Sequence, residues 1–362
     1  MGRIRSNDHG EPRNMRLLIA SPRDRLAEST KFAEALDSLG VETICVLDRE
    51  YTVVSDFKIL KHVPYPRLLK LIKQSKPDFV FTYAPYYTAH MAKLLERPLL
   101  VHLRGDLWTE SKWNRSLYRF LPNRMLFDWK TLIMTAGVKK ADLVLPVSLW
   151  LEKQIKLQLP NYPTHVLYRG VDPEKWRPKP NAGLLKIKRP AVVSVFDFKI
   201  YPKVAGLLKF MRSIKKMPNV HFYFAGNGPY TKLIEQRGLP NVFLLGRLTK
   251  SEVQELLACG DIFVHPSGLD ALPRSVTEAA LMEKPIIAAN IGGIPEIVKN
   301  KETGYLCDIN DCDEWIERIH FLLDNSDVAG RFGRKAREFV ARNFDWQKIA
   351  EDFLRRLKKG VD

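Results

Sequence analysis

The feature of the sequence that most restricts its fold is the alternation of short apolar runs with segments of helical periodicity. Four runs in the first half predict buried strands: residues 17–20, 43–47, 79–83 and 99–102. Between the first two, residues 27–39 carry apolar side chains three and four positions apart, which predicts a helix. Strands that alternate with helices are typical of βαβ units and a parallel sheet.

The alternation begins again after residue 190. Five more runs predict a second set of strands: residues 191–196, 220–225, 242–245, 262–265 and 286–289. Between the two sets, residues 172–180 contain three prolines and several charges, which would break a helix and indicate a linker. We therefore expect two doubly wound α/β domains, at residues 15–175 and 176–345, with a ligand in the cleft between the carboxyl ends of their strands.

The two ends of the chain differ in character. Residues 1–14 are polar and lack the apolar stretch of a secretory signal, so we interpret them as a disordered tail or a tag. Residues 346–358 are amphipathic, with Ile349, Phe353 and Leu357 on one face. The sequence has no run of about 18 apolar residues, so no transmembrane helix is expected.

Composition narrows the function classes without choosing among them. The chain has 362 residues, 45% of them hydrophobic, which is the range of a globular protein. The four cysteines are irregularly spaced and form no Cys-x-x-Cys pair, so they do not indicate a zinc site or a disulfide framework. This cysteine content favours the reducing cytosol. The net charge of +17 is compatible with nucleic acid, an anionic membrane surface or phosphorylated substrates.

Two carboxylates follow the strand predicted at 262–265. Asp270 lies in the expected loop, and Glu278 lies inside the helix that Pro273 can open. Because the amides at a helix start are free, a diphosphate would be stabilised there. An isolated pair of this kind is more often a helix cap and a solvated glutamate, so the surrounding sequence decides its interpretation.

The surrounding segments, in their order, resemble glycosyltransferase family 4. Asp270 and Glu278 stand where the family has two glutamates separated by seven residues. The other matching segments are 141–148, 166–172, 225–229, 284–288, 292–298, 302–306 and 344–346. The resemblance covers nearly the whole chain from Met15. It implies the GT-B fold, in which two Rossmann-like doubly wound domains face a cleft and a final helix, here 346–362, crosses back to the first domain.

The resemblance implies a hexosyltransferase that moves a sugar from a UDP- or GDP-sugar to an acceptor hydroxyl with retention at the anomeric carbon. Glu278 matches the glutamate that holds the ribose hydroxyls, and Asp270 matches the one beside the donor sugar. Aspartate is one methylene shorter, and a misplacement of roughly 1 Å can cost about 10²-fold in rate. The donor is a substrate, so no cofactor and no catalytic metal are expected.

The leaving diphosphate needs fixed positive charge. Lys203 matches the family's phosphate lysine, whereas Phe198 stands where the family has an arginine. Lys199 and Arg274 are our candidates for the missing charge. The donor-side set is completed by three loop residues: Ala271, Leu272 and Gly226.

In the first domain, His102, Arg104 and Asp106 follow the strand predicted at 99–102. They are similar to the family's His-x-x-Gly-Asp segment, which implies that His102 contacts the donor sugar or the acceptor and that Asp106 acts on the acceptor hydroxyl. Arg104 is expected on the acceptor side. Arg23 and Arg25 replace the family's early glycine loop and are predicted acceptor-side residues as well.

Two motifs are misleading. Asp311-Cys312-Asp313 has the form of a metal–diphosphate motif, but it precedes the helical run 315–323, which favours helix capping. Gly226-Asn227-Gly228 lacks the third glycine of a dinucleotide fingerprint and is interpreted as a turn.

The positive charge is concentrated in the first domain. Residues 51–140 hold 16 Lys/Arg against 6 Asp/Glu. Within them, 66–76 and 113–130 interleave cations with apolar and aromatic residues, which is typical of segments that lie on an anionic membrane and also of ordinary helices with a basic outer face. We hypothesise a lipid-linked acceptor and a cytoplasmic protein bound peripherally to the inner face of the cell membrane.

Three other interpretations stay open on the sequence alone. They are a GT-B-like sugar-nucleotide epimerase, a basic nucleic-acid- or membrane-binding protein, and a transferase fold without activity. Nucleic-acid binding is disfavoured because no zinc spacing, RNA-binding strand motif or helix-turn-helix pattern is present. The base, sugar, acceptor and oligomeric state are not determined by the sequence.

Overall fold

The computed structural model describes residues 15–22, 25–47, 53–55, 58–59, 65–83, 87–110, 112, 121–178 and 185–359. The chain divides into two compact units. Unit 1 comprises Met1–Gly170 together with Trp346–Asp362, and unit 2 comprises Val171–Asp345. The division follows Gly170, five residues before the boundary predicted at 175. The interpretation of residues 1–14 as a tail or tag lies outside the described residues.

Unit 1 is built on a seven-stranded sheet in the order β4-β3-β2-β1-β5-β6-β7. Its strands are β1 (Arg16–Ser21), β2 (Glu42–Leu47), β3 (Val53–Ser55), β4 (Lys58–Ile59), β5 (Phe79–Thr82), β6 (Leu99–Leu103) and β7 (Leu143–Pro146). All neighbours are parallel except β2–β3 and β3–β4. The four predicted strands are confirmed as β1, β2, β5 and β6.

Helices cover both faces of this sheet. They are α1 (Leu26–Asp37), α2 (Tyr65–Ser75), α3 (Tyr87–Leu94), α4 (Leu121–Val138), α5 (Leu149–Gln158) and, from the end of the chain, α13 (Trp346–Lys359). In the part of the chain that the structure describes, no helix combines the length and apolar character that a bilayer crossing requires.

The last helix returns to unit 1 because its apolar face has a partner there. Phe353 is buried, and its ring lies 5.3 Å from the Phe32 ring of α1 and 5.9 Å from the Phe81 ring of β5. At the start of the same helix, the Trp346 ring lies against Gly170, where a Cβ atom would lie 2.2 Å from it. The amphipathic pattern at 346–358 therefore closes the core of unit 1.

Unit 2 is built on a six-stranded parallel sheet in the order β10-β9-β8-β11-β12-β13. Its strands are β8 (Ala191–Val195), β9 (His221–Ala225), β10 (Val242–Gly246), β11 (Ile262–His265), β12 (Ile286–Ala289) and β13 (Gly304–Cys307). Its helices are α6 (Tyr201–Lys215), α7 (Thr231–Glu235), α8 (Lys250–Cys259), α9 (Arg274–Leu281), α10 (Ile294–Ile297), α11 (Cys312–Asp324) and α12 (Ser326–Asn343). The five predicted strands are confirmed as β8 to β12, and β13 adds an edge that the prediction did not include.

The strand order of unit 2 determines where a ligand can bind. The chain leaves β8 toward β9 on one side, and later returns to place β11 on the other side of β8. In open parallel sheets the loops diverge at such a point, and ligands bind outside the carboxyl ends of the two strands. The loops after β8 and β11 are therefore the expected site.

The start of the predicted linker is hydrogen-bonded to a side chain of unit 2. The Arg337 guanidinium donates to the carbonyl oxygens of Trp176 (2.7 Å), Pro173 (3.2 Å) and Leu281. Trp176 is buried. Contacts from Arg337 of α12 therefore add to those that the segment makes within itself, such as the Trp176 N–H donating to the Asp172 carbonyl oxygen (3.2 Å).

Replacing Phe353 with Ala should lower the free energy of unfolding by about 3–5 kcal/mol, because it leaves a cavity between α13, α1 and β5. Urea denaturation monitored by circular dichroism measures the change. Leu157→Ala, at a position 73% exposed on α5, is the control and should change stability by less than about 0.5 kcal/mol. Equal effects of the two substitutions would contradict the packing described here.

Candidate functional site

The candidate site of unit 2 lies where the chain leaves β8 and β11. Lys203 is in the first turn of α6, which Pro202 opens close to its first position. Asp270 lies in the loop between β11 and α9. The two residues are 67 positions apart in sequence, and the adjacency of β8 and β11 brings them together.

Asp270 is held at one of its two carboxylate oxygens. Lys203 Nζ lies 3.0 Å from Asp270 Oδ2, and His265 Nε2 lies 3.2 Å from the same oxygen. Asp270 is 7% exposed and His265 is 3% exposed. Both described contacts of the Asp270 carboxylate are made by Oδ2, and Oδ1 has no hydrogen-bond partner among the described residues.

The charge of Asp270 is stabilised in place. Burial by itself raises the pKa of this carboxyl group, but the ammonium of Lys203 and the hydrogen bond from His265 outweigh burial, and the pKa is lowered. Asp270 is therefore ionised at neutral pH. A buried anion fixed beside a cation is a group that can stabilise positive charge in a bound molecule.

The backbone around Asp270 is fixed by close approaches between loops. The Gly293 N–H donates to the Asp270 carbonyl oxygen (3.0 Å), and the Gly268 N–H donates to that of Lys203 (3.2 Å). Gly292 has φ +58°, and a Cβ atom there would lie 1.9 Å from the Asp270 carbonyl oxygen. Glycine is required at 292 for this approach, because an added methyl group would displace the loop that carries Asp270.

Glu278 and Arg274 lie on α9, close to the amino end of α8. Pro273 is the N-cap of α9 rather than its first residue, which corrects the expected helix start by one position. Burial lowers the pKa of Lys250 on α8, and the charge of Glu278 opposes that shift. Lys250 Nζ lies 5.0 Å from the centre of the Trp176 ring. Glu278 is half-buried and Arg274 is exposed.

The remaining donor-side residues lie in the loops around Lys203. Phe198 is fully buried, with its ring 5.5 Å from that of Phe196, so this position presents no side chain at the sheet edge. Lys199 is exposed. Gly226 has φ +144° in the turn after β9. Two further predicted residues, Ala271 and Leu272, have buried side chains in the loop after Asp270.

In unit 1, the predicted residues gather at the end of β6. His102 is 2% exposed; its Nε2 lies 3.0 Å from the Leu167 carbonyl oxygen, whereas its Nδ1 has no partner in the described structure. Burial, and then the charge of Arg104, lower the pKa of His102 well below its usual value. The ring is therefore neutral, and its contact with a carbonyl assigns the proton to Nε2.

Arg104 is paired within unit 1. Its guanidinium forms an ion pair with Glu28 of α1 and lies 4.3 Å from the centre of the Tyr83 ring. Burial raises the pKa of Tyr83 to about 12, against the lowering effect of Arg104. The phenol is therefore neutral, and Arg104 has one carboxylate and one aromatic face as its immediate surroundings.

Asp106 serves as a local cap. Its Oδ1 accepts from the N–H groups of Trp108 and Thr109, both at 3.1 Å, and its Oδ2 accepts from the Thr109 hydroxyl. Arg25 is half-buried just before α1, and its carbonyl oxygen accepts from the Ser29 hydroxyl (3.0 Å). Arg23 lies outside the described residues.

Several members of these clusters were not predicted from the sequence. His265 was assigned only to a strand, although its place at the end of β11, before the loop of Asp270, was a usable signal. Glu28, Tyr83 and Lys250 reach the clusters from other elements, and no local motif marks them.

The helix cap predicted at Asp311 is confirmed. Asp311 is the N-cap of α11, with its carboxylate accepting from the N–H groups of Asp313 (3.1 Å) and Glu314 (2.9 Å). Within the described ranges, no group of three or more His, Cys, Asp or Glu side chains is placed to hold a metal ion.

The sequence of unit 2 resembles a known family. Residues 177–339 match the family model described as glycosyl transferases group 1, and this range lies within unit 2. Most of unit 2 is therefore similar to the glycosyl transferases of group 1. The cluster of Lys203, His265 and Asp270 lies inside the matched segment.

Two relatives extend the similarity into unit 1. Sulfoquinovosyl transferase SQD2 of Arabidopsis thaliana is 27% identical over 78% of this chain, which spans 56% of that protein's length. A galactosyltransferase of Escherichia coli, named for UDP-Gal and for α-D-GlcNAc-diphosphoundecaprenol, is 25% identical over 86% of this chain and 81% of its own length. The chain is thus a homologue of glycosyltransferases over most of its length.

The fold is shared with solved structures. Anabaena HepE, in complex with UDP-glucose, matches 96% of this chain and all of its own chain, with a TM-score of 0.70 and 18% identity. The sucrose-phosphate synthase of Thermosynechococcus elongatus matches with a TM-score of 0.72 over 96% of this chain. Both comparisons establish the predicted GT-B fold, with its two Rossmann-like sheets.

The Lys203–Asp270 pair should make stability depend on pH. Because the folded-state pKa of Asp270 is lowered, its contribution is complete above the unfolded-state pKa of about 3.9 and is lost as the pH falls through the folded-state value. Lys203→Met should therefore lower the free energy of unfolding by about 3 kcal/mol at pH 7 and by much less near pH 3. Urea denaturation across pH measures this difference, and Lys199→Met is the exposed control. A penalty that does not change with pH would show that the ion pair is not its source.

Proposed function

We propose that this protein is a retaining hexosyltransferase that moves a sugar from a UDP- or GDP-sugar to an acceptor hydroxyl. The proposal depends on one observation: the Lys203–Asp270–His265 cluster at the carboxyl ends of β8 and β11, inside the segment that matches the group 1 glycosyl transferases. It joins a cation suited to a diphosphate with a fixed anion suited to a sugar that develops positive charge. Assignment to glycosyltransferase family 4 is part of the proposal.

On the donor side, each residue has a role that its position supports. Lys203 would bind the diphosphate, and Oδ1 of Asp270 would face the sugar. Glu278 would hold the ribose hydroxyls, since a carboxylate can accept hydrogen bonds from both members of a cis-diol.

Further charge at the diphosphate would come from Lys199 and Arg274, because Phe198 presents no side chain there. The amides at the start of α9, with the loop residues Ala271 and Leu272 and the Gly226 turn, would supply backbone contacts. With cations in these places, we propose no resident cofactor and no catalytic metal.

On the acceptor side, His102 is proposed to hydrogen-bond the donor sugar or to orient the acceptor. Arg104, Arg25 and Arg23 are proposed to lie on the acceptor side, where the charge of Arg104 is already balanced by Glu28. Asp106 would have to release its contact with Thr109 before it could accept a proton.

Glu278→Gln should abolish most turnover and weaken nucleotide binding at least about tenfold, because an amide cannot accept two hydroxyl hydrogen bonds at one oxygen pair. A thermal-shift screen of UDP and GDP identifies the base, and labelled UDP- and GDP-sugars measure transfer. The control is Glu302→Gln, an exposed position outside the cluster. If the unaltered protein forms an epimer of the sugar nucleotide without an acceptor, its activity is epimerisation and not transfer. Unchanged binding and turnover in Glu278→Gln would contradict the proposed site.

We also propose that the acceptor is membrane-borne and that the protein binds the cytoplasmic face of the membrane. Crossover connections in parallel sheets are right-handed, so α2, α3 and α4 lie on one face of the unit 1 sheet and α1 on the other. This layer carries exposed lysines: Lys70, Lys73, Lys76, Lys139 and Lys140. The name of the E. coli relative includes a lipid-linked diphosphate, which favours an acceptor of this kind.

The same layer exposes apolar side chains in a pattern suited to a bilayer surface. Met125, Trp129 and Leu132 of α4 are 66%, 63% and 63% exposed, and their spacing places them on one side of the helix. Lys139, which directly follows the last residue of α4, is exposed and adds a cation. Tryptophan beside lysine is typical of helices that lie at the interface of anionic lipid. Of the predicted segment 113–130, residues 113–120 lie outside the described residues.

Replacing Met125, Trp129 and Leu132 together with Ser should lower binding to vesicles rich in anionic lipid at least about tenfold, because each side chain gives up apolar burial in the bilayer. Flotation at low and high salt measures binding, and vesicles of zwitterionic lipid should retain little protein. Phe321→Ser, at an exposed apolar position of unit 2, is the matched control. Failure of the unaltered protein to float at low salt would remove the membrane proposal.

A further inference from the structure

Once a nucleotide-sugar donor binds, the two partners of Asp270 can no longer stabilise its charge to the same extent. Lys203 Nζ and His265 Nε2 share the single oxygen Oδ2. In the proposed function, on which this inference rests, Lys203 also binds the diphosphate. A dianionic diphosphate competes directly with Asp270 for the same ammonium group.

Without a second partner, the negative charge of Asp270 would be poorly stabilised while Lys203 binds the diphosphate. It is 7% exposed, and a buried carboxylate that loses its cation becomes protonated or moves. Either change would remove the anion from its place beside the donor sugar. The site therefore needs a partner for Asp270 that does not bind the donor.

His265 has the geometry of that partner. It ends β11 in register with Ala288 of β12, and its ring lies parallel to that of Phe263 and 5.5 Å from that of Phe196. At 3% exposed, it has no room to follow the ligand. Oδ2 of an ionised Asp270 needs a donor, so Nε2 carries a proton, whereas the buried Nδ1 has no partner in the described structure.

We propose that His265 is a positioning residue for Asp270. Its Nε2–H holds Oδ2 while Lys203 binds the diphosphate, so that Oδ1 stays directed toward the donor sugar. This fixed hydrogen bond comes from the end of β11, the strand that leads into the loop of Asp270. It orients an aspartate at a position where the resemblance leads us to expect the longer glutamate.

Two substitutions at 265 separate the hydrogen bond from packing. His265→Phe keeps an aromatic ring between Phe196 and Phe263 but removes the donor. His265→Gln places an amide N–H near the position of Nε2 and restores it. His221→Phe is the matched control, since His221 lies in the same sheet at the amino end of β9 and also has an unpartnered, buried Nδ1.

In steady-state kinetics, His265→Phe should lower kcat at least about tenfold and change the donor KM by less than about threefold, because Lys203 is intact. The acid limb of its kcat/KM profile should move up by about one pH unit, since Asp270 loses a hydrogen bond that favours its ionised form. His265→Gln should recover most of kcat and the original acid limb. His221→Phe should behave as the unaltered protein.

A second measurement decides the inference without turnover. The ¹³C signal of the Asp270 carboxyl, assigned by its loss in Asp270→Asn, should titrate at higher pH in His265→Phe, and the difference should grow when UDP or GDP is bound. An identical titration in His265→Phe and the unaltered protein would overturn the role of His265, as would a glutamine variant as impaired as the phenylalanine variant. Absence of turnover by the unaltered protein with every donor would instead refute the proposed function, while the titration still tests His265.

Discussion

The burial of one carboxylate, Asp270, governs the arrangement of the candidate site. A carboxylate that is 7% exposed requires compensation within hydrogen-bond distance, and Lys203 and His265 supply it from two different elements. Lys203 is available because β8 lies beside β11, and the loop can approach because residue 292 is glycine. The strand order, the start of α6 and the loop conformation therefore all determine the position of the Asp270 carboxylate. The chemistry we propose uses its contacts with Lys203 and His265.

Unit 1 also buries charged and titratable side chains, but it compensates their charge in a different way. Its Arg104 is neutralised by Glu28 and covered by Tyr83, and His102 is kept uncharged by burial and by the cation beside it. The polar groups there are consequently neutral or paired, whereas in unit 2 both described contacts of the ionised Asp270 carboxylate are made by a single oxygen, Oδ2. This difference suits an acceptor-binding unit that orients hydroxyl groups and a donor-binding unit that stabilises charge.

The sequence predicted the two parallel sheets because their strands are continuous apolar runs, which is what burial on both faces requires. It did not predict β3 and β4, which have three and two residues and therefore no readable period. The residues Asp270 and Lys203 were found through a family resemblance. The contact between them, the burial of Phe198 and the pairing of Glu28 with Arg104 depend on side chains far apart in sequence, and local patterns carry no information about such contacts.

We propose that Lys203 and Asp270 form the donor site, and a crystal structure of the protein with bound UDP or GDP is the decisive experiment. We expect a phosphate oxygen about 2.8 Å from Lys203 Nζ, with Asp270 Oδ2 still hydrogen-bonded to His265 Nε2. A diphosphate bound elsewhere in unit 2, with the Lys203–Asp270 pair unchanged, would contradict it.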